Sequence, residues 1–144
     1  MKRHEAIAPL SRDHHGSLLL AQLLKKNAPM YRDLPDTAKE KAIYARQQFE
    51  GHIKKHFEKE ETILELVTDC YAEINTLAGE IKTEHRELTA LFQSLDNSTD
   101  LESTMDTLAV ALETHIRKEE RILFPLLQQH CTEAKLQQIY KLLH

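Results

Sequence analysis

The sequence predicts an all-α protein, an up-down-up-down antiparallel four-helix bundle with a short C-terminal fifth helix. Its 144 residues contain only 3 Gly, 4 Pro and no Trp, which suits long helices better than a turn-rich β-structure. Apolar residues recur at helical spacing over four long stretches, and short polar or proline-containing segments separate those stretches. We therefore expect a single domain over residues 1–144.

The first two predicted helices are joined by a connection that contains two prolines. The first helix has Pro9 in its first turn and runs to about Asn27. An uninterrupted helix would not accommodate Pro29 and Pro35, so the second helix is predicted from about residue 36 or 37 to about residue 67. The residues of these helices predicted to face the core are Ile7, Leu10, His14, Ala21 and Leu24, then Ala42, Ala45, Phe49, His52, His56, Glu60, Ile63 and Val67.

The third and fourth predicted helices are separated by a turn. The third helix occupies roughly residues 71–95, and the turn-forming residues 96–100 end it. Pro125 is expected to kink the last turns of the fourth helix, and Thr132 can cap a short closing helix through Leu143. The residues predicted to face the core are Leu77, Ala78, Ile81, His85, Leu88, Phe92 and Leu95, then Leu101, Met105, Leu108, Leu112, His115, Glu119, Ile122 and Leu126.

A nine-residue phrase occurs in both the second and the fourth predicted helix. The two copies begin at His56 and His115, and both read H-x-x-K-E-E-x-I-L. In a helix the His and the first Glu project from one face, one turn apart, which pairs His56 with Glu60 and His115 with Glu119. Imidazole nitrogen and carboxylate oxygen are both ligands for first-row transition metals. The doubled pair therefore predicts two metal ions, or one ion held between two helices.

Two further histidines, His14 and His85, lie on the apolar stripes of the first and third helices. Both occur in segments of the form aliphatic-x-x-acid-His, so the chain reads as a doubled helical hairpin. Histidines on four antiparallel helices lie at the same level of the bundle if the sequence position halfway between each histidine and the next falls in a turn. These midpoints are residue 35, residues 70–71 and residue 100, which all fall in predicted breaks. The six side chains expected to converge are His14, His56, Glu60, His85, His115 and Glu119.

These motifs resemble the hemerythrin-like family of non-haem di-iron four-helix bundles, over roughly residues 7–128. The resemblance implies a centre of two iron ions in which the carboxylates of Glu60 and Glu119 bridge the ions, with an oxo bridge as a further option. The terminal ligands that it implies are His14, His56, His85 and His115. It also implies that the centre binds or senses a small diatomic or oxidant, such as oxygen, nitric oxide or peroxide. The alternatives are a di-iron enzyme that turns over peroxide or nitric oxide, including iron-centre repair, and a metal-free helical interaction module.

The sequence departs from the oxygen-carrying hemerythrins, which use five histidines with two on the third helix. Here Ile81 and Thr89 occupy the positions one turn before and after His85, so the third helix offers one histidine. The candidates for a fifth nitrogen are His15, His52 and, if the lead-in folds over the bundle end, His4. Fewer fixed nitrogens favour redox turnover or sensing over reversible oxygen carriage.

The acidic residues and cysteines near the motifs have simpler interpretations. Glu61 and Glu120 follow the motif Glu and rotate away from the motif His, so we expect solvation or hydrogen bonding rather than ligation. Cys70 and Cys131 lack a C-x-x-C pattern and are expected to be free thiols near the same end of the bundle, with a redox-sensitive disulfide as the alternative.

Other signals exclude classes of function. A net charge of -4 indicates neither nucleic acid nor an anionic membrane as a partner, and no protein partner is indicated. No apolar run suits a signal peptide or a transmembrane span, so we expect a cytoplasmic protein. The Glu-x-x-His motif of ferritin-like bundles, the H-E-x-x-H zinc motif and glycine-rich phosphate loops are all missing from the sequence.

Overall fold

The computed structural model describes residues 2–144 and is all-helical, with no β-strand in that range. Its α-helices are α1 (Ala8–Leu24), α2 (Ala38–Gln48), α3 (Lys54–Leu66), α4 (Ala72–Ser94), α5 (Leu101–Lys118), α6 (Phe124–His130) and α7 (Glu133–Leu143). Two π-helical segments, Phe49–Ile53 and Glu119–Leu123, join α2 to α3 and α5 to α6 without a break. Among residues 2–144, no helix combines the length and the apolar character needed to cross a membrane.

Most helix ends lie within a few residues of their predicted positions. Helix α1 ends at Leu24, before the expected Asn27, whose φ of 61° lies in the left-handed region that is incompatible with a continuing helix. Polar side chains cap three helix N-termini by accepting a backbone N–H three residues on. These capping residues are Thr37 for α2, Asp100 for α5 and Thr132 for α7.

Asp100 gives the stability of α5 a dependence on pH. Hydrogen bonds from Ser103 lower the pKa of this carboxyl. Its contribution to stability is therefore present above the ordinary pKa of aspartate and is lost as the pH falls through the lowered value. We expect acidification from about pH 7 to about pH 2 to lower the thermal midpoint less in Asp100→Asn than in the wild type, because asparagine caps without titrating. Circular dichroism melts check this, and equal losses in the two proteins would contradict it.

Two apolar clusters form the core of the protein. The first core cluster includes Leu20, Leu24, Phe49, Phe57, Leu88, Phe92, Leu108, Leu112 and Ile116. The second core cluster includes Ile7, Leu10, Ile63, Leu64, Ile81, Leu123, Phe124, Leu127 and Ile139. Along α1, the buried His14 lies between Leu10 of the second cluster and Leu20 of the first. On α4, the buried His85 likewise lies between Ile81 of the second cluster and Leu88 of the first, and Glu119 lies between Ile116 of the first cluster and Leu123 of the second. A polar layer therefore separates the two clusters.

The π-helical segments change which residues face the core. The predicted stripes placed His52 and Ile122 inward, but both are exposed, Ile122 by 47%. Ile53 and Leu123 are buried in their place. A π-turn closes hydrogen bonds over five residues rather than four, so it takes in one extra residue and moves the inward face by one position. The same shift leaves Leu126, also predicted inward, only half-buried.

Pro125 lies in the first turn of α6, directly after the second π-helical segment. Its ring nitrogen cannot donate to the carbonyl of Arg121, and the ring would crowd that carbonyl in a regular α-helix. A wider turn at this point accommodates the proline within a continuous helix, which is a common cause of local irregularity in long helices.

The three glycines offer a simple test of helix propensity. Gly16, Gly51 and Gly79 all lie in helical segments without positive φ, and an added Cβ would meet no atom within 4 Å at any of them. Because alanine restricts the unfolded chain more than glycine, we expect Gly79→Ala to raise the free energy of unfolding by about 0.5–1 kcal/mol. Urea denaturation measures the change, and a lower denaturation midpoint would contradict the open environment of this position.

The two cysteines are free thiols, as expected. Cys131 is buried in the second core cluster, and Cys70 packs against that cluster. Burial and the neighbouring Cys70 raise the pKa of Cys131 to about 12, so its thiol stays protonated at neutral pH. The adjacent rings of Tyr71 and His130 stack with centroids 3.6 Å apart, which holds the α3–α4 and α6–α7 connections together.

Candidate metal centre

The structure brings all six predicted ligands together in one buried cluster. They form two groups, each with one potential ligand atom per residue within 4.8 Å of the others. The first ligand group is His14, His56, Glu60 and Glu119, and the second ligand group is Glu60, His85, His115 and Glu119. Glu60 and Glu119 belong to both groups, while each group has its own histidine pair.

Four helical stretches supply these side chains. Helix α1 carries His14, α3 carries His56 and Glu60, α4 carries His85, α5 carries His115, and the second π-helical segment begins at Glu119. The i,i+4 spacing in both copies of the repeated phrase places the His and Glu one turn apart on the inner face. Each copy of the repeated phrase therefore contributes one equivalent His/Glu pair to the cluster.

The Nε2 atoms of the four histidines face the two shared carboxyl groups. The distances are 2.9 Å from His14 to Glu119, 3.0 Å from His85 to Glu60, 3.3 Å from His56 to Glu60 and 3.4 Å from His115 to Glu119. In addition, the Nε2 atoms of His14 and His56 lie 3.1 Å apart. The atoms that point to the centre are thus the nitrogens and oxygens that a transition metal binds.

The other ring nitrogen of each histidine contacts a second carboxylate outside the cluster. The Nδ1 distances are 2.6 Å from His14 to Glu120, 3.0 Å from His56 to Asp13, 2.8 Å from His85 to Glu61 and 2.6 Å from His115 to Glu84. Because an ionised carboxylate can only accept, each Nδ1 carries the hydrogen and donates it. Whenever such a ring is neutral, the lone pair of its Nε2 is directed at the centre, which is the arrangement of metal-binding histidines.

These four outer carboxylates were only partly anticipated. Glu61 and Glu120 are hydrogen-bond partners of site histidines, one of the two roles expected for them. Asp13 and Glu84 were missed as partners, although the acid-His pairs in the sequence contained the signal. Each of them orients the histidine of the next long helix rather than its own neighbour, and that pairing depends on the helix packing.

The pKa values of the two shared carboxyl groups are shifted in opposite directions. Burial and the charge of Glu60 raise the pKa of Glu119 well above its ordinary value. Burial also opposes ionisation of Glu60, but the charge of His56 and a hydrogen bond from His85 hold its pKa well below the usual range. Burial alone would lower the pKa of His56, yet Glu60 and Asp13 raise it to about 9. Protons thus compensate part of the buried negative charge.

Unpartnered polar atoms show that the cluster fits a metal ion. Glu60 Oε2, His115 Nε2 and Glu119 Oε2 are buried and have no hydrogen-bond partner within residues 2–144. Leaving such atoms unpaired is costly in a folded protein. All three belong to the second ligand group, and nitrogen and carboxylate donors suit iron, manganese and zinc. The residues present therefore fit the role of a cation site.

Two phenylalanines cover the histidine rings. Phe57 stacks on His85 with ring centroids 4.0 Å apart and planes 13° apart. Phe124 lies parallel to His14, with centroids 5.5 Å and planes 6° apart. Both phenylalanines are buried, so they restrict ring rotation and keep water from these faces of the cluster.

No candidate for a fifth nitrogen joins either group. His15 and His52 are exposed on the outer faces of their helices. His4 accepts a hydrogen bond from the backbone of Ala6, and its Nε2 lies 3.4 Å from Glu133, away from the cluster. Within residues 2–144, each ligand group therefore contains two histidines.

The comparisons with known proteins agree with this geometry. The model of the hemerythrin HHE cation-binding domain matches residues 5–127 and, in a second match, residues 76–141. No curated protein and no solved structure matches the chain. The first match covers most of the 144 residues and includes all six residues of the two ligand groups. The chain therefore belongs to the hemerythrin HHE cation-binding domain family.

Proposed function

We propose that this protein holds two iron ions and uses them to bind or sense a small diatomic or oxidant, such as oxygen, nitric oxide or peroxide. The sharing of Glu60 and Glu119 between the two ligand groups carries the proposal. Glu60 and Glu119 would be shared by the two ions, and each ion would have its own histidine pair. Bound iron would supply a redox-active Lewis acid with positions open to a small ligand.

The chain's own residues would orient the ligand nitrogens and exclude water from the metal centre. The outer carboxylates keep a hydrogen on each Nδ1, so the ligand nitrogens stay fixed in tautomer and direction. The stacked Phe57 and Phe124 and the two core clusters surround the polar layer. A buried, preformed cluster of this kind strengthens the electrostatic attraction between its carboxylates and a cation.

The proposed architecture is one domain whose four long helices run up-down-up-down. Helix α1 packs against α5, and α4 packs against both α3 and α5. Short connections, residues 67–71 between α3 and α4 and residues 95–100 between α4 and α5, support antiparallel neighbours. Each long helix contributes one histidine to the two ligand groups, so these histidines lie at one level. This agrees with the proposed topology.

Iron loading tests the proposed function directly. Protein purified without chelators is loaded anaerobically with ferrous iron, desalted and analysed for metal by mass spectrometry. We expect two iron ions per chain and a new visible absorption band on exposure to oxygen or nitric oxide. Two bound ions would also raise the thermal midpoint, because a ligand of the native state stabilises that state. Retention of no iron, with an unchanged midpoint, would refute the proposal and favour the metal-free interaction module.

Turnover of peroxide or nitric oxide at the same centre is the second candidate function. The observation in its favour is that neither ligand group includes a third histidine, which leaves more positions for exchangeable ligands. Steady-state consumption of either compound by iron-loaded protein, lost in His56→Ala, would establish turnover. Stoichiometric binding without continued consumption would limit the function to binding or sensing.

A further inference from the structure

A cavity of about 320 Å³ opens beside the first ligand group, between α1 and the stretch that runs from the first π-helical segment into α3. His56 and Asp13 form part of its wall, so the cavity adjoins one of the paired ligand histidines. A water molecule occupies about 30 Å³ in the liquid. The cavity therefore has room for a small ion of several atoms together with water.

The charge of this cavity is opposite to that of the protein as a whole. The chain carries a net charge of -4, yet Arg12, Lys55 and Lys59 line the cavity with Asp13 as the one carboxylate among its lining residues. None of the three cations forms an ion pair with a carboxylate of residues 2–144, and Asp13 is hydrogen-bonded to His56. The positive charge is thus available to a ligand.

Two glycines create the open space. Gly16 of α1 and Gly51 of the first π-helical segment both line the cavity, and an added Cβ would meet no atom within 4 Å at either position. Side chains at these positions would project into the gap between the two helices. The glycines therefore keep the approach to His56 open.

We propose that this cavity binds a small oxyanion, held by Arg12, Lys55 and Lys59 beside His56. The chemistry shared by such ligands is a compact, negatively charged group with several oxygen acceptors, as in inorganic oxyanions and short carboxylates. The proposal rests on the proposed function only for placing the anion next to a metal. Binding of the anion itself needs no metal and is tested separately.

A second cavity, beside the second ligand group, lacks the excess of positive charge that Arg12, Lys55 and Lys59 give the first cavity. Beside His85 of the second ligand group lies a cavity of about 310 Å³, whose lining includes Phe49 and Phe57. Its charged lining residues balance, with two cations, Lys54 and Arg86, against two carboxylates, Glu58 and Glu61. The two ligand groups are alike in composition, but their neighbouring cavities differ in charge and polarity. Selection of an anion is therefore expected at the first group alone.

The three glycines provide site-specific probes of binding. Isotope-labelled protein, both metal-free and loaded with diamagnetic zinc, is titrated with sodium phosphate and with sodium acetate at constant ionic strength. We expect saturable shifts of the Gly16 and Gly51 amide signals, and no shift of the signal of Gly79, which does not line this cavity. Saturation by phosphate alone identifies an inorganic oxyanion, saturation by acetate alone identifies a carboxylate, and both outcomes support the site.

Matched variants separate this site from general surface charge. Lys55→Gln/Lys59→Gln should weaken binding by about fivefold, because each exposed charge contributes modestly to an ionic contact. Lys39→Gln/Lys141→Gln, which removes the same charge elsewhere, should bind like the wild type. Gly16→Leu should abolish the shift of Gly51, while Gly79→Leu should not.

Three results would overturn the proposal. These are the absence of saturable shifts at Gly16 and Gly51, shifts of Gly79 as large as theirs, and wild-type affinity in Lys55→Gln/Lys59→Gln. Each can occur whether or not iron binds. Conversely, failure to load iron would refute the proposed function without changing the titration of the metal-free protein.

Discussion

Replacing Glu119 with glutamine should prevent the protein from holding either proposed metal ion at wild-type affinity. Both ligand groups use this carboxyl group, and all of its side chain is buried. Glutamine has nearly the same shape but lacks the negative charge that attracts and bridges cations. Loss of an outer hydrogen-bond partner alone costs 10- to 100-fold in metal affinity, so we expect a loss of more than about 100-fold for a shared ligand.

Competition with a chelator, followed by metal analysis per chain, measures this loss. Glu58→Gln is the matched control, because Glu58 is an exposed carboxylate of α3 and belongs to neither group. His115→Ala is the complementary variant, because His115 belongs to the second group alone. It should weaken one ion while the other is retained. If Glu119→Gln lost only one ion, the shared role of this carboxyl group would be wrong.

The inward faces of the first and third long helices could be predicted from the sequence. All five residues predicted to face inward from α1 and its lead-in, including His14, are buried. On α4, His85 and its apolar neighbours Ile81 and Leu88 are buried as well. Regular α-helical geometry holds through both stretches, so spacings of three and four residues translate directly into one face. The regular stripes of these two helices place His14 and His85, and the repeated phrase supplies the other four predicted ligands.

The π-helical segments could not be predicted from the same pattern. In the fourth long stretch, steps of four and three continue through Ile122, yet Ile122 is exposed and Leu123 is buried. Apolar residues occupy both positions, so the sequence fits either register. Packing of the surrounding helices and the accommodation of Pro125 decide between them. The error is local, because Glu119 precedes the change of register and keeps its predicted place.

The outer carboxylates were difficult to predict for a different reason. Asp13 and Glu84 each precede a ligand histidine, and local spacing would assign them to solvent or to that neighbour. Instead, they reach histidines 43 and 31 residues away in sequence. Such contacts depend on the relative rotation of packed helices, which no single helical stripe specifies. Their assignment is the main addition that the structure makes to the site.

Glu84 is expected to control metal affinity at the second ligand group without binding the metal. Its Oε1 accepts from His115 Nδ1 at 2.6 Å, and its Oε2 accepts from Lys118 Nζ at 2.8 Å. Burial opposes ionisation, but hydrogen bonds from His115 and Lys118 lower the pKa of Glu84, so it is a carboxylate at neutral pH. Glu84→Leu removes the acceptor that fixes the tautomer of His115. We expect affinity at the second group to fall by about 10- to 100-fold.

Glu80 separates this orienting role from simple loss of an ion pair. Its carboxylate lies 3.0 Å from the same Lys118 Nζ but contacts no ligand histidine. Glu80→Leu should therefore leave metal affinity near the wild-type value, whereas an effect that acted through Lys118 would appear in both variants. Thermal melts of the metal-free proteins show whether the fold is intact. Equal affinities of Glu84→Leu and Glu80→Leu would mean that His115 keeps its tautomer and direction without Glu84, and that packing against Phe57 is sufficient to orient the ring.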